Sequence, residues 1–231
     1  MSLSPEEWTT IYLSLRVALL ATLICLPFGL GLAWILARKN FWGKSVLNSL
    51  IHLPLVLPPV VTGYLLLIAF GKKGLIGAFL EQTFGLVFAF RWNGAALAAA
   101  LMALPLMVRA IRLSIEGIDQ RLEGAAATLG ASPLRVFTTV TFPLAAPGLL
   151  AGTILTFVKA LGEFGATITF VSSIPGQTQT LSLSIYSLLQ TPDGDAAALR
   201  LIVLSITLAL AALLASEFMA ARLVRRTTGK P

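Results

Sequence analysis

Val17-Ala18-Leu19-Leu20-Ala21-Thr22-Leu23-Ile24-Cys25-Leu26-Pro27-Phe28-Gly29-Leu30-Gly31-Leu32-Ala33-Trp34-Ile35-Leu36 runs for 20 residues without a charge. A helix of that length rises about 30 Å, the thickness of a bilayer's hydrocarbon core. The run is too long, and too far from a small-residue cleavage site, to read as a signal peptide, so it is a span of the mature chain. The composition extends the same reading to the whole molecule: 57% of the 231 residues are hydrophobic and 12% charged, against about 25% charged in a soluble domain. A soluble globular enzyme is thereby excluded. The single cysteine, Cys25, allows no intramolecular disulfide, and the single histidine, His52, assembles no Cys/His metal site.

Outward from this stretch, apolar runs place candidate spans at about 11–36, 48–70, 93–114, 144–170 and 200–221. The expected fold is all-α: a polytopic membrane bundle of five transmembrane helices in one domain over 1–231. Trp8, Trp34, Trp42 and Trp92 lie near ends of the first three spans, as in the aromatic belts at the membrane surface. Gly74 to Phe90 contains Glu81 and Gln82 and reads as a loop with an interfacial helix, a sixth span being the alternative. Ser172 to Leu199, rich in hydroxyls, is either an external loop or a partly re-entrant segment.

The formal charge of +7 comes from basic residues at the ends of the apolar runs. With the N-terminus outside, the cytoplasmic parts hold Arg38, Lys39, Lys44, Arg109, Arg112, Arg121, Arg135, Arg222, Arg225, Arg226 and Lys230, against Lys72, Lys73, Arg91 and Arg200 outside. The excess orients the chain with its N-terminus out and its C-terminus in the cytoplasm. Basic residues at cytoplasmic boundaries explain the charge without nucleic-acid binding.

The long cytoplasmic connection, about 115–143, is more than a linker. Gln120 to Leu129 favours a helix, Gly130 suits the left-handed conformation that ends one, and Ser132-Pro133 supplies an N-cap with proline at the first helical position. The segment therefore spells helix, turn, helix. A pair lying on the bilayer would carry Lys, Arg and bulky apolar residues, whereas Gly124, Ala125, Ala126 and Ala127 permit close approach of a protein groove.

Glu123-Gly124-Ala125-Ala126-Ala127-Thr128-Leu129-Gly130-Ala131-Ser132-Pro133, followed by Val140-Thr141-Phe142-Pro143, resembles the EAA loop of ABC importer permeases. Gly130, the alanine pair and Pro143 fall in register; Gly124 stands where the motif has Glu, and Glu123 is one residue early. The resemblance covers nearly the whole chain and includes Leu36-Ala37-Arg38-Lys39, Leu53-Pro54-Leu55-Val56-Leu57-Pro58-Pro59-Val60-Val61-Thr62-Gly63 and Gly162-Glu163-Phe164-Gly165-Ala166-Thr167. These point to the molybdate and sulfate branch, and the short length and Gln190-Thr191-Pro192 favour molybdate, with tungstate a close mimic. What the resemblance implies is a type I importer permease in the bacterial inner membrane, working as a homodimer. Its partners would be two copies of a cytoplasmic ATPase, which uses ATP and Mg, and a periplasmic or extracytoplasmic molybdate-binding protein. Glu123, Gly124, Ala125, Ala126, Gly130, Ser132, Pro133 and Pro143 would form the coupling helix that docks on the ATPase. No cofactor belongs to this chain.

Elementary chemistry adds a second group of residues. Pro54, Pro58 and Pro59 each remove a backbone donor, and in hydrocarbon the freed carbonyls need neighbouring helices, water or side chains such as Thr62. Together with Gly63 they mark a broken span that either forms a gate or kinks the bundle. Pro105, alone in its span, reads as a kink. Lys159 and Glu163, four apart, offset charges that singly cost about 2.5–3.5 kcal/mol at mid-membrane. With Phe164 they line either the translocation path and dimer axis or a structural contact between helices. Arg16 snorkels to the surface.

Catalytic signals are lacking. Gly43-Lys44-Ser45 imitates the end of a phosphate-binding loop, but Arg38 stands where that loop needs its first glycine. The chain then reads as a transport subunit without its own ATPase site. The rival, a self-contained ion-driven carrier or channel, would call for an inverted repeat and intramembrane acids. Apart from the boundary residues named above, only Arg16 and the paired Lys159 lie inside the spans, so the pathway should hold a dianion weakly.

Overall fold

Ser4 begins the first helix. Its hydroxyl accepts from the Glu7 amide at 3.2 Å, the Glu7 carboxylate accepts from the Ser4 amide at 2.7 Å, and Pro5 takes the first helical position. The computed structural model describes residues 3–228, and α1 occupies Pro5–Arg38, 34 residues. It starts earlier than the apolar run because capping, to which hydropathy is blind, sets its boundary. The side chains of Arg222, Arg225 and Arg226, and all of Lys230, lie outside what is described.

The expected second span is not one helix. It is α2 (Lys44–Val56) and α3 (Pro59–Phe70), bent by 112° at Leu57-Pro58. Pro58 and Pro59 cannot continue the ladder of α2; instead the Pro58 carbonyl accepts from Val61 at 2.9 Å and starts α3. Next comes α4 (Leu75–Phe84), whose ten residues rise about 15 Å, half a hydrocarbon core. No sixth span forms there.

At the centre lies α5 (Trp92–Glu116). Its buried Ala95, Ala96, Ala98, Ala99, Ala100 and Ala103 let neighbouring backbones come close, as small residues do in membrane bundles. Along one side runs α1, where the Cys25 thiol donates to the Ala100 carbonyl at 3.2 Å. After α5 come the short α6 (Gln120–Thr128) and α7 (Pro133–Val136).

The fourth span departs from expectation at both ends. Residues 137–141 form one π-helical turn that joins α7 to α8 (Phe142–Leu161), giving a continuous 29-residue helix from Pro133 to Leu161. The wider turn, in which the Phe142 amide donates to the Phe137 carbonyl, absorbs the donor missing at Pro143. Pro143 is thus inside a helix, not at the end of a loop. Beyond Leu161 the chain breaks, and α9 (Gly165–Val171) is a separate piece. The α8 helix packs along α5, with Gly152 close to Met107 and Ala110, and also touches α1.

The hydroxyl-rich segment is ordered by hydrogen bonds within itself and to α1. Thr178 Oγ1 donates to the Ser172 carbonyl and accepts from the Ile174 amide, both at 2.9 Å. The first amide of α10 (Leu181–Leu188) donates to Ser14 Oγ of α1 at 2.6 Å. Last comes α11 (Asp195–Thr228), tied back to α1 by Arg200, whose Nε and Nη2 donate to Glu7 Oε1 at 3.1 and 2.9 Å. Among the described residues four helices are long and apolar enough to cross a membrane, and the bent α2–α3 pair makes five. The five-span bundle is the one the sequence implied.

Replacing Arg200 by Gln leaves the buried Glu7 carboxylate without its cation. The melting temperature of the purified chain should fall by the equivalent of about 2 kcal/mol, less than a wholly uncompensated charge because Arg200 is partly solvated. Adding Glu7→Gln should recover part of the loss in the same melting experiment.

Candidate coupling hairpin and broken-helix contact

Two constellations stand out, one at the end of the bundle where α5 passes into α6, the other where α3 meets α9. The first is built from capping. Asp119 Oδ1 accepts from the Arg121 amide at 2.9 Å and starts α6. Gly130, at φ 85°, ends it: the Gly130 amide donates to the Ala127 carbonyl at 3.0 Å and the Ala131 amide to the Ala126 carbonyl at 3.2 Å. Ser132 then caps α7, accepting from Arg135 at 3.4 Å, with Pro133 behind it. Helix, turn, helix follows the order read from Gly130, Ser132 and Pro133.

No residue of α6 or α7 is buried, and Gly124 and Ala125 face open space. Leu122, Leu129 and Leu134 are exposed, Leu129 to 88%. These three leucines were missed by sequence reasoning. The signal available was an apolar side chain at each end of a helix otherwise made of small and polar residues.

Glu123 does the opposite of its neighbours. Its carboxylate turns inward to Arg38 Nε at 3.0 Å and accepts from Thr141 Oγ1 at 2.6 Å. Arg38 Nη2 also donates to the Ile118 carbonyl at 3.3 Å. One carboxylate therefore joins the end of α1, the first turn of α6 and the π-helical turn that leads into α8. Charge-assisted bonds of this length are the strong ones.

The second constellation brings together Pro59, Thr62, Gly63, Lys159, Glu163 and Phe164. A Cβ on Gly63 would lie 2.5 Å from the Ala166 carbonyl oxygen, and one on Gly165 2.7 Å from Pro59 Cβ, so α3 and α9 touch backbone to backbone. Thr62 Oγ1 is buried there without a hydrogen-bond partner. Glu163 is not on the face of a continuous helix, because α8 ends at Leu161. It sits in the break, where Oε2 accepts from Lys159 Nζ at 3.0 Å and Oε1 from the Ala166 amide at 3.0 Å, capping α9. Phe164 meets Tyr186 of α10 at 4.9 Å between ring centroids. Pro54 is buried in α2, across the bend from this contact, and Pro58 occupies the bend itself. Among the described residues no group of three or more His, Cys, Asp or Glu side chains is placed to hold a metal ion.

A bundle with a bent second span and a capped helical hairpin at one end has the fold of the solved ABC importer permeases. The fold agrees with a solved bacterial ABC transporter involved in import of the acidic polysaccharide alginate, at TM-score 0.76 and 18% identity over 95% of this chain and 80% of that one. Residues 26–228 match the family described as the binding-protein-dependent transport system inner membrane component, and the chain belongs to that family. It is 56% identical over 230 residues to the molybdenum transport system permease protein ModB of Escherichia coli K12, covering 100% of both chains. The sulfate transport system permease protein CysT of Salmonella typhimurium is 36% identical over 98% of this chain and 81% of its own length.

The Glu163 geometry predicts an unequal double-mutant cycle. Lys159→Leu strands a buried carboxylate and should lower the melting point by on the order of 2–3 kcal/mol. Adding Glu163→Gln, which keeps an oxygen for the Ala166 amide, should recover more of this than adding Glu163→Ala, which loses the cap as well.

Proposed function

We propose that this chain is the membrane-spanning subunit of an ATP-driven importer of molybdate, with tungstate as a chemical mimic. The observation that carries the coupling reading is the α6–α7 hairpin. It presents exposed Leu122, Leu129 and Leu134 beside the open Gly124 and Ala125, while Glu123 fastens it to the bundle. Such a surface fits the groove of a cytoplasmic ATPase, which would hold ATP and Mg. Full-length identity to a molybdenum permease supports molybdate, and the lower identity to a sulfate permease makes sulfate the second reading.

In this reading the chain forms a two-fold dimer over two ATPase subunits, with the N-terminus outside and the C-terminus in the cytoplasm. ATP binding draws the hairpins together. Because Glu123 ties α6 to Arg38 of α1 and to Thr141 below α8, the displacement passes into both helices as a rigid movement. The short helices α3 and α9, meeting at Gly63 and Gly165, are the parts whose breaks let them shift, and they serve as the gate. The dianion enters from an external binding protein, as the description of the family supports. The cation beside this contact, Lys159, is engaged by Glu163, so the pathway releases what it receives.

Vesicles holding the chain, its ATPase and the binding protein should take up labelled molybdate only with ATP, and sulfate should compete poorly. Uptake by the chain alone without ATP would instead mark an ion-driven carrier. A Gly130→Val change, which places a β-branched residue at φ 85°, should lower uptake by about tenfold while the chain still inserts, the strain being on the order of 1–2 kcal/mol. Calorimetric titration of the purified chain with molybdate should show no sub-micromolar site.

A further inference from the structure

A cavity of about 700 Å³ opens at the N-terminal end of the bundle, between α1, the turn after α3, the segment leading into α5 and the turn before α10. Three cations line it, Arg16, Lys72 and Arg91, and no Asp or Glu does. Arg16 is held in place by stacking on Trp92, its guanidinium carbon 3.7 Å from the ring centroid. Stacking leaves the edge of the guanidinium, with its donors, free of that contact. Among the described residues neither Arg16 nor Arg91 has an ion-pair partner, and Lys72 has only the exposed Glu81 at 3.9 Å.

The depth of the cavity identifies its occupant. Arg16 immediately precedes the 20-residue uncharged run, which fills the hydrocarbon core, so its guanidinium lies at headgroup level. Trp92, at the first position of α5, marks the same level. Leu19 and Leu23, 56% and 54% exposed and one and two turns from Arg16 toward the core on the same face of α1, offer apolar surface below the cations. A free tetrahedral oxyanion would fill little of this volume and would leave that apolar surface unused. The geometry points to a binding site for the phosphate headgroup of an anionic phospholipid, in the leaflet on the side of the N-terminus, with its polar head beside Tyr12 and acyl chains running past Arg16 along Leu19 and Leu23. This site is separate from the α3–α9 contact and from the coupling hairpin.

Native mass spectrometry of the full chain in neutral detergent, titrated with phosphatidylglycerol or phosphatidylcholine, tests it. Each basic residue near an anionic lipid contributes about fivefold in binding. Phosphatidylglycerol should be retained in preference to phosphatidylcholine, and the double change Lys72→Gln with Arg91→Gln, which leaves the Arg16–Trp92 stack intact, should reduce that retention on the order of tenfold. Arg135→Gln, at the opposite end, should leave it unchanged. Equal retention of the two lipids, or full retention by the double variant, would overturn the assignment. Millimolar molybdate should not displace the lipid; displacement would hand the cavity to the free oxyanion and equally overturn it.

Discussion

The carboxylate of Glu123 is the contact on which the seating of the α6–α7 hairpin depends. Its side chain is 18% exposed and binds Arg38 from α1 and Thr141 from the π-helical turn. Whereas α7 runs on into α8 as one helix, α6 buries no residue, and Glu123 is the side chain that ties α6 to the ends of its neighbours. With it, α6 is fixed to the end of α1 and to the turn that leads into α8. The departure from the family pattern then acquires a physical sense: Gly124 faces open space where the motif has its acid, and the acid one residue earlier works inward.

The same economy recurs at two other places. Glu7 takes Arg200 and the Ser4 amide; Glu163 takes Lys159 and the Ala166 amide. Each of the three carboxylates thus has one cation and one further donor, which is what an acid withdrawn from water requires if its desolvation is to be offset. All three also join separate segments: the starts of α1 and α11, α6 and the end of α1, and the long α8 and the short α9. Packing of α5 against its neighbours supplies cohesion through alanine and glycine, and the carboxylates supply registration.

The bundle was legible because hydrocarbon demands uninterrupted apolar length, and five such runs are plain in the sequence. Boundaries were less so. Ser4 and Glu7 extend α1 by a local hydrogen-bond pair outside the apolar window, and at the fourth span the π-helical turn and the Gly162-Glu163 break shift both ends of a helix without changing its hydropathy. At the hairpin, Gly130, Ser132 and Pro133 could be read because their roles are fixed by backbone geometry within three residues. The inward turn of Glu123 could not, since Arg38 lies 85 positions away. The proline-rich bend was correctly marked as irregular, but its contact with α9 depends on the tertiary approach of Gly63 to Ala166.

The central claim is that Glu123 transmits the movement of the hairpin to the membrane helices. The measurement that tests it most directly is molybdate taken up per ATP hydrolysed in vesicles carrying the complete transporter with Glu123→Gln. The account predicts that hydrolysis persists while uptake per ATP falls several-fold, and that the exchange Arg38→Glu with Glu123→Arg restores much of the ratio. An unchanged ratio in Glu123→Gln would contradict it.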